Sequence, residues 1–197
     1  MVHRIRIGYM GIPFSNTEAM TLEFCREMNW KDAELVPLMS SADTVKALFE
    51  GKVDYGVLAV RNGIAGPVKE TEESLKGKKV RKILEGSERI HHCLFSKTQT
   101  SEINGVCSHI QAIGQCKENL ASLYPDAKLS ECSDTAYAAE MLSKGELPDD
   151  CAVLCRKEAG EHYGLYLVKE NLEDRGDNET FFHLISLWFG LDAWMDA

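Results

Sequence analysis

Residues 44–58, TVKALFEGKVDYGVL, and residues 135–154, TAYAAEMLSKGELPDDCAVL, decide the fold. Each stretch begins with a helical pattern and passes a glycine that suits a helix end, Gly51 in the first and Gly145 in the second. Each then continues through an aspartate into a short apolar run that is typical of a buried strand. The same module thus occurs twice. This duplication predicts two similar α/β lobes with a ligand in the cleft between them.

Short apolar runs alternate with helical patterns along the chain, which indicates an α/β protein with largely parallel sheets. Two helices are predicted from capping boxes, one over residues 15–18 (SNTE) and one over residues 108–111 (SHIQ). The second helix is expected to run on to residue 123, before a proline. Strands are predicted over residues 5–9, 33–38, 55–60, 90–95, 127–129, 151–154, 165–168 and 182–188.

The composition excludes several classes of protein. The chain has 197 residues, of which 44% are hydrophobic and 27% charged, and these values are typical of a globular protein. Its net charge of -9 repels nucleic acid and acidic membrane surfaces. The densest basic stretch, residues 76–82, is flanked by glutamates and is predicted to be a solvated turn. We therefore expect no nucleic-acid partner and no membrane partner.

The cysteines and the amino-terminal sequence indicate the cellular compartment of the protein. Seven cysteines are present without a C-x-x-C pair, and most lie among apolar neighbours, as buried free thiols do. The amino terminus enters a strand-like alternation without the apolar core of a signal peptide. No stretch reaches the roughly 18 apolar residues that a membrane span needs. We expect a protein of the reducing cytoplasm.

Generic motifs for cofactors and nucleophiles are absent. The sequence contains no G-x-G-x-x-G, no G-x-x-x-x-G-K-[ST] and no G-x-S-x-G, so a nucleotide cofactor and a serine-hydrolase site find no support. The run His91-His92-Cys93 does not indicate a metal, because neighbouring residues on a strand point to opposite faces and no second cluster completes four ligands. We expect neither a metal nor a cofactor. These residues alone predict a two-lobed α/β protein that binds a small anion.

Residues 106–116, VCSHIQAIGQC, resemble the Val-x-Ser-His-Pro-Gln-Ala-Leu-x-Gln-Cys signature of prephenate dehydratases, with only the proline clearly lost. The resemblance continues in order on both sides of this segment and covers nearly the whole chain. Residues 43–66 resemble the family's helix, strand and Glu-Asn-Ser loop. The other matching segments are residues 90–94 (IHHCL), 135–139 (TAYAA), 163–165 (YGL) and 178–182 (NETFF).

The resemblance implies the two-lobed fold of type II periplasmic binding proteins with an interlobe cleft. The first α/β lobe is expected over residues 1–88 and 175–197, and the second over residues 89–174. The chain ends 15 residues after Phe182. We therefore expect no regulatory ACT domain of the kind that usually follows, and no feedback by phenylalanine through it.

The resemblance also implies an activity and a site. The family are lyases that convert prephenate to phenylpyruvate, with loss of water and carbon dioxide, in phenylalanine biosynthesis. Such an enzyme must hold a dianion and help a poor leaving group to depart. The resemblance implies that Thr180 is the catalytic donor. The residues implied to bind substrate are Ser15, Arg61, Asn62, Ser108, His109, Asn178, Phe181 and Phe182.

Three departures from the family pattern fall on these motifs. Phe181 stands where the family has the arginine of Thr-Arg-Phe, and Arg61 stands where it has the glutamate of Glu-Asn-Ser. The loop over residues 11–15 is about two residues shorter than the family's and lacks its threonine. One hypothesis is that Arg61 supplies the charge lost at Phe181 from the other side of the cleft. The alternative is that Arg61 is exposed to solvent and the site is degraded.

Other functions therefore remain open beside a prephenate dehydratase. One is a non-catalytic protein that binds or senses a small carboxylate, and another is a relative acting on a different cyclic carboxylate. The chain end also predicts a homodimer, because residues 184–194 carry more apolar surface than a terminus needs. The residues that create this surface are Ile185, Leu187, Trp188, Phe189, Leu191 and Trp194.

Overall fold

The computed structural model describes residues 4–99 and 102–188. Within these residues the chain divides into two compact units. Unit 1 holds the described parts of Met1–Gly11, Thr17–Glu88 and Glu179–Ala197, and unit 2 holds Ile12–Asn16 and the described parts of Arg89–Asn178. The loop Ile12–Asn16 and residues 175–178 thus group with unit 2.

The elements of unit 1 are β1 (Arg6–Met10), α1 (Asn16–Glu27), β2 (Glu34–Leu38), α2 (Ser41–Phe49), β3 (Tyr55–Asn62), β4 (Gly66–Pro67), α3 (Lys69–Leu75), β5 (Val80–Arg89) and β11 (Glu179–Leu187). Its sheet has the strand order β2-β1-β3-β11-β5, with the short β4 paired to β3. Strand β1 is parallel to β2 and β3, whereas the last strand, β11, is antiparallel to β3.

Hydrophobic side chains cover both faces of this sheet. On one face, Phe182 packs with Ile7 of β1 and with Phe24 of α1. On the other face, Ile185 packs with Leu48 of α2 and with Leu58 of β3. Alternate residues of β11 thus pack into the cores on the two faces of the sheet, as the pleat of a strand requires.

The elements of unit 2 are β6 (Cys93–Ser96), β7 (Gly105–Ser108), α4 (Ile110–Gln115), α5 (Lys117–Leu123), β8 (Lys128–Glu131), α6 (Thr135–Lys144), β9 (Cys151–Cys155), α7 (Lys157–His162) and β10 (Tyr166–Lys169). Its sheet has the strand order β10-β6-β9-β7-β8. Strand β7 is parallel to β8 and β9, whereas β6 is antiparallel to β9 and β10.

The duplicated module predicted from the sequence is present in both units. In unit 1 it is α2 followed by β3, and in unit 2 it is α6 followed by β9. Both glycines take positive φ values, 66° at Gly51 and 75° at Gly145, and Gly145 is the left-handed cap of α6. The expectation of largely parallel sheets was wrong, because both sheets are mixed.

Three local expectations were also wrong. Residues 80–82, which were expected to lie in a turn, begin the ten-residue strand β5. The helix predicted over residues 110–123 is divided into α4 and α5 by the non-helical Cys116. The residue that caps α4 is His109 and not Ser108, because the His109 ring accepts the amide of Gln111. Within the described residues no helix is long and apolar enough to cross a membrane.

The apolar chain end is only partly described. Ile185 is buried in the core of unit 1, so its side chain is not free to cover a partner. Leu187 packs against the same core, whereas Trp188 is 59% exposed. Phe189, Leu191 and Trp194 lie outside the described residues.

Candidate functional site

Thr180 and Asn62 face each other on the neighbouring strands β11 and β3 of unit 1. The side-chain amide Nδ2 of Asn62 donates a hydrogen bond to Thr180 Oγ1 at 2.9 Å, although the residues are 118 positions apart. The register of the two strands shifts immediately afterwards, between Phe181 and Phe182. Such bulges re-aim side chains and are common beside functional sites.

The loop after β3 fixes the orientation of the Asn62 amide. Its oxygen, Oδ1, accepts the backbone N–H of Ile64 at 3.0 Å and that of Ala65 at 2.9 Å. The nitrogen end is therefore turned toward Thr180. Because the Thr180 oxygen accepts this bond, its own hydroxyl proton points away from the Asn62 amide.

Arg61 and Phe181 form the adjacent cross-strand pair. The guanidinium carbon of Arg61 lies 3.7 Å from the centroid of the Phe181 ring, a cation–π contact. Neighbouring residues on a strand point to opposite faces, so this pair lies on the face opposite Asn62 and Thr180. One hypothesis placed Arg61 across a cleft from Phe181, whereas the two residues lie on neighbouring strands of unit 1.

The remaining candidate of unit 1, Phe182, is a core residue. Its side chain is 1% exposed and packs with Tyr9 and Leu184. Tyr9 in turn donates its hydroxyl to Glu18 Oε1 at 2.8 Å. Phe182 therefore anchors β11 in the core two residues after Thr180.

In unit 2, Ser108 and His109 end strand β7 and begin helix α4. The Ser108 side chain is fully buried, and its hydroxyl donates to the carbonyl oxygen of Leu154 at 2.7 Å. The hydroxyl proton is thus used within the sheet. His109 Nδ1 accepts the backbone N–H of Gln111 at 3.3 Å, so the proton of the neutral ring is on Nε2. That N–H is the donor which His109 can offer a ligand.

Asn178 belongs to a buried network that the sequence analysis did not find. Asn178 Nδ2 donates to Gln115 Oε1 at 2.8 Å, and the same oxygen lies 2.7 Å from His92 Nε2. The carbonyl of Asn178 also accepts the N–H of Ile90 at 2.8 Å. Asn178 is 1% exposed. Its side chain therefore joins two chain segments of unit 2.

Burial lowers the pKa of His92, although its bond to Gln115 and the charge of Glu173 oppose the shift. Glu173 Oε2 accepts the backbone N–H of His92 at 3.0 Å, and its other oxygen lies 2.7 Å from His91 Nδ1. The only signal for this network in the sequence was that the matched segments at residues 90–94, 106–116 and 178–182 contain His92, Gln115 and Asn178.

Ser15 lies in the loop that precedes α1. It is buried, and its backbone N–H donates to the carbonyl of Ile12 at 3.2 Å. The preceding Phe14 has a φ of 67°, which is strained for a non-glycine residue. Its ring stacks on His162 with the centroids 3.9 Å apart. The loop is thus held on unit 2 by an aromatic contact.

Asp134 was not singled out from the sequence. It is the N-cap of α6, and its Oδ1 accepts the amides of Ala136 at 2.7 Å and of Tyr137 at 3.4 Å. Burial raises the pKa of this carboxyl, and these amides and the nearby His109 oppose the shift. Among residues 4–99 and 102–188, no group of three or more His, Cys, Asp or Glu side chains is placed to hold a metal ion.

Comparisons with known proteins agree with these motifs. The family described as prephenate dehydratase matches residues 7–187. The chain is 28% identical over 184 residues to a chloroplastic arogenate dehydratase of Arabidopsis thaliana, covering 92% of this chain and 42% of that protein. It is 30% identical to a bifunctional chorismate mutase/prephenate dehydratase of Pseudomonas aeruginosa, covering 92% of this chain and 48% of that protein. The chain spans less than half the length of these two relatives.

Solved structures share the fold. A prephenate dehydratase from Arthrobacter aurescens, in complex with L-Phe, superposes with a TM-score of 0.83 at 24% identity, covering 95% of this chain and 62% of that one. A protein described as GqqA, a novel type of quorum quenching acylase, superposes with a TM-score of 0.76 at 24% identity, covering 94% of this chain and 65% of that one. At this identity the likeness establishes the fold and not the activity.

Proposed function

Because the chain belongs to the prephenate dehydratase family, we propose that it is a dehydratase that converts prephenate to phenylpyruvate. The observation that carries this proposal is the hydrogen bond from Asn62 to Thr180. This bond joins the two segments of the chain that resemble the family's Glu-Asn-Ser and Thr-Arg-Phe motifs. Both residues have the same identity here as in those motifs.

The conversion of prephenate to phenylpyruvate requires a hydrogen-bond donor at the leaving oxygen. As the ring carboxylate of prephenate leaves as carbon dioxide, the electron pair of its C–C bond enters the ring and the bond to the ring hydroxyl breaks. Hydroxide is a poor leaving group, so a proton or a strong hydrogen bond must reach its oxygen as the C–O bond breaks. Thr180 donates a hydrogen bond to that oxygen, which leaves as water, and the one proton consumed overall comes from solvent. Formation of the aromatic ring drives the reaction.

Asn62 strengthens that donor in two ways. By occupying a lone pair of Thr180 Oγ1, its amide directs the hydroxyl proton away from Asn62. A hydroxyl that accepts a hydrogen bond is also a better donor, because neighbouring bonds in a chain polarise one another. Asn62 is thus the positioning residue and Thr180 the catalytic one. A donor fixed in this way needs little reorganisation during the reaction.

The other predicted residues take different parts in the proposal. Ser108, Asn178 and Phe182 support the structure, because their polar groups or rings are buried and engaged within the protein. The substrate contacts of His109 and Ser15 stay predictions from the resemblance. No ligand group is assigned to Arg61 or Phe181, which contact each other.

The contact between Arg61 and Phe181 favours a second candidate function. A chain that lacks the family's arginine at position 181 has lost a planar donor suited to a carboxylate. Arg61 does not restore it on the face of Thr180. A protein that binds a cyclic carboxylate without converting it is therefore the alternative.

Turnover assays distinguish the dehydratase from the protein that binds a carboxylate without converting it. The purified chain is given prephenate, and phenylpyruvate is followed by its absorbance. Arogenate, the substrate named for the Arabidopsis relative, is tested in parallel with phenylalanine as product. We expect turnover of prephenate by wild type, retained in Thr180→Ser and lost in Thr180→Val with binding preserved. Binding without turnover of either compound would support the second function. Turnover that survives Thr180→Val would refute the assignment of the donor.

Two further expectations belong to this proposal. All seven cysteines are free thiols, which favours a reducing compartment such as the cytoplasm. A homodimer remains the expected assembly, with the exposed Trp188 at its contact. Light scattering of wild type and of Trp188→Ala tests the dimer, and a monomeric mass for wild type would exclude it.

A further inference from the structure

Arg156 lies between strand β9 and helix α7 in unit 2. Strand β9 is parallel to β7, with Val153 in register with Cys107. His109 comes directly after β7 and Arg156 directly after β9, so both residues lie at the same edge of the sheet. The carboxyl ends of parallel strands form the edge at which open α/β sheets bind ligands.

The loop before α1 reaches the same arginine. Nη1 of Arg156 donates a hydrogen bond to Asn16 Oδ1 at 2.9 Å, and Asn16 groups with unit 2. Asn16 directly follows Ser15, in the loop that an aromatic contact holds on this unit. Arg156 thus contacts the residue next to Ser15 and shares a sheet edge with His109. These are the two residues of unit 2 whose substrate contacts are predicted from the resemblance.

The guanidinium of Arg156 already holds one carboxylate. Its Nε donates to Glu158 Oε2 at 3.3 Å, which is longer than the roughly 2.7–2.9 Å typical of such a bond. The Arg156 side chain is 16% exposed, whereas that of Glu158 is 63% exposed. An ion pair with an exposed carboxylate contributes little stability, so the carboxylate of a ligand can displace Glu158 at low cost.

The bond to Asn16 prepares the guanidinium for this exchange. It restricts the plane of the group, and the low exposure of the side chain restricts its rotamers. A guanidinium carries five N–H donors in a rigid planar fork that matches a carboxylate. A donor that is ordered before the ligand arrives loses less entropy on binding. Arg156 therefore supplies the kind of donor that the chain lacks at Phe181.

We propose that Arg156 binds the side-chain carboxylate of the substrate, which takes the place of Glu158. The identity of that substrate rests on the proposed function. The ring carboxylate of prephenate loses its charge as it leaves as carbon dioxide, so a strong bond to it would stabilise the substrate more than the transition state. The side-chain carboxylate is retained in phenylpyruvate and can be held throughout the reaction. Arg156 is thus a substrate-binding residue, and Thr180 remains the catalytic one.

This role predicts a change in KM rather than in kcat, because Arg156 holds substrate and transition state equally. We expect Arg156→Ala to raise KM for prephenate about 10–100-fold, with kcat within about 2-fold of wild type. Arg156→Lys keeps the charge but not the planar fork, so its KM should lie between those two values. Glu158→Gln removes the charge of the competing carboxylate and should lower KM by up to about 5-fold. This pattern differs from the loss of turnover expected for Thr180→Val.

Arg175 provides a matched control in the same unit. It also pairs with a carboxylate two residues later, with its Nη2 2.8 Å from Asp177 Oδ2. Its side chain is 64% exposed, and it follows neither β7 nor β9. Arg175→Ala removes the same type of ion pair, and we expect KM and kcat to stay within about 2-fold of wild type.

A binding measurement keeps the test independent of turnover. Titration calorimetry of the full chain uses phenylpyruvate, which retains the carboxylate. Its Kd should rise about 10–100-fold in Arg156→Ala and stay unchanged in Arg175→Ala. Weaker binding by Arg156→Ala, when wild type binds phenylpyruvate but does not convert prephenate, would support the role of Arg156 and refute dehydratase activity. Turnover by wild type with KM and Kd unchanged in Arg156→Ala would refute the role of Arg156 and leave the dehydratase in place.

Binding of phenylpyruvate by wild type is itself required, and its absence would show that the role given to Arg156 is wrong. A higher Kd in Glu158→Gln would contradict the exchange of carboxylates. Circular dichroism identifies the folded variants. Arg156→Gln removes the charge but keeps a donor for Asn16, so it gives the same test if Arg156→Ala fails to fold. An unchanged Kd in folded Arg156→Gln would overturn the proposal.

Discussion

The guanidinium of Arg61 stacks on the ring of Phe181, with 3.7 Å between the guanidinium carbon and the ring centroid, and the two residues are directly opposed on β3 and β11. These are the two positions at which the chain departs from the Glu-Asn-Ser and Thr-Arg-Phe motifs. The family pattern would place a glutamate opposite an arginine there. The two departures are therefore one exchange, in which a cation–π pair stands where an ion pair would otherwise form.

The exchange predicts strong coupling between the two positions. Phe181→Arg alone sets two guanidinium groups opposite each other, and we expect it to lower the free energy of unfolding by about 0.5–1 kcal/mol. Adding Arg61→Glu should recover most of that loss by forming an ion pair. Urea unfolding of wild type, both single variants and the double variant measures the coupling. Additive effects of the two substitutions would show that positions 61 and 181 are not coupled.

A second prediction concerns the direction of the hydrogen bond between Asn62 and Thr180. In Asn62→Asp the side chain can still accept the amides of Ile64 and Ala65, so the loop is retained. A carboxylate cannot donate, so the Thr180 hydroxyl must donate to it instead. We expect kcat for prephenate to fall by about 10²–10³-fold. Unchanged kcat in a folded Asn62→Asp protein would contradict the role given to Asn62.

The sequence was sufficient to predict the repeated modules, because each is a local pattern. The α2–β3 and α6–β9 segments need only a helical period, a glycine and an apolar run of strand length, all within about 20 residues. The resemblance located Thr180 and Asn62 as residues of one site. Their contact spans 118 positions, however, and depends on the pairing of β3 with β11, which no local pattern encodes.

Other features could not be predicted for physical reasons. Strand β5 is an edge strand whose exposed residues, apart from Ser87, are charged, so its sequence resembles a solvated turn more than a buried run. Ser108 has the identity of a helix cap, but the neighbouring β9 offers the Leu154 carbonyl to its hydroxyl, and His109 takes over the cap. The stack of Arg61 on Phe181 likewise depends on strand register.

The exchange of roles between Ser108 and His109 gives a third prediction. Ser108→Ala removes a buried donor and leaves the Leu154 carbonyl without it, so we expect a loss of about 1–3 kcal/mol in the free energy of unfolding. His109→Ala removes a longer bond at an exposed helix start, and we expect a loss of about 0.5–1 kcal/mol. Denaturant unfolding of the two variants shows which substitution lowers the free energy of unfolding more. A larger loss for His109→Ala than for Ser108→Ala would contradict the greater contribution assigned to the buried hydrogen bond of Ser108.

Two helical glycines of unit 2 provide a fourth prediction. A Cβ added to Gly160 in α7 would lie 2.4 Å from ring atoms of the buried Phe95, so Gly160→Ala must displace the ring or the helix. We expect it to cost about 1–3 kcal/mol of stability. A Cβ on Gly114 in α4 meets no atom within 4 Å, and Gly114→Ala should stabilise by about 0.4–1 kcal/mol. Thermal unfolding of both variants tests the pair, and equal effects would contradict the packing of Phe95 on α7.

The last prediction is a loss of stability in weak acid that originates at His92. Burial lowers the pKa of His92 from its ordinary value of 6.5. The charge of the neighbouring His91 also lowers it, whereas Gln115 and Glu173 oppose the shift. As the pH falls below 6.5, His92 takes up a proton in the unfolded chain but not in the folded protein. The unfolded state then binds more protons, so the free energy of unfolding must fall with the pH.

The stability from a neutral His92 is thus fully present above pH 6.5 and is lost as the pH falls from there toward the lowered pKa of the folded state. We expect wild type to lose up to about 1.4 kcal/mol per pH unit in this window. His92→Gln keeps a donor for Gln115 but does not titrate, so its free energy of unfolding should change less between about pH 7.5 and about pH 5.5. His183, whose pKa is also lowered by burial, is expected to contribute to the remaining slope and provides the matched variant His183→Gln. Urea unfolding at both pH values measures this change in the free energy of unfolding. If the change for His92→Gln is as large as that for wild type, His92 is not the group that titrates.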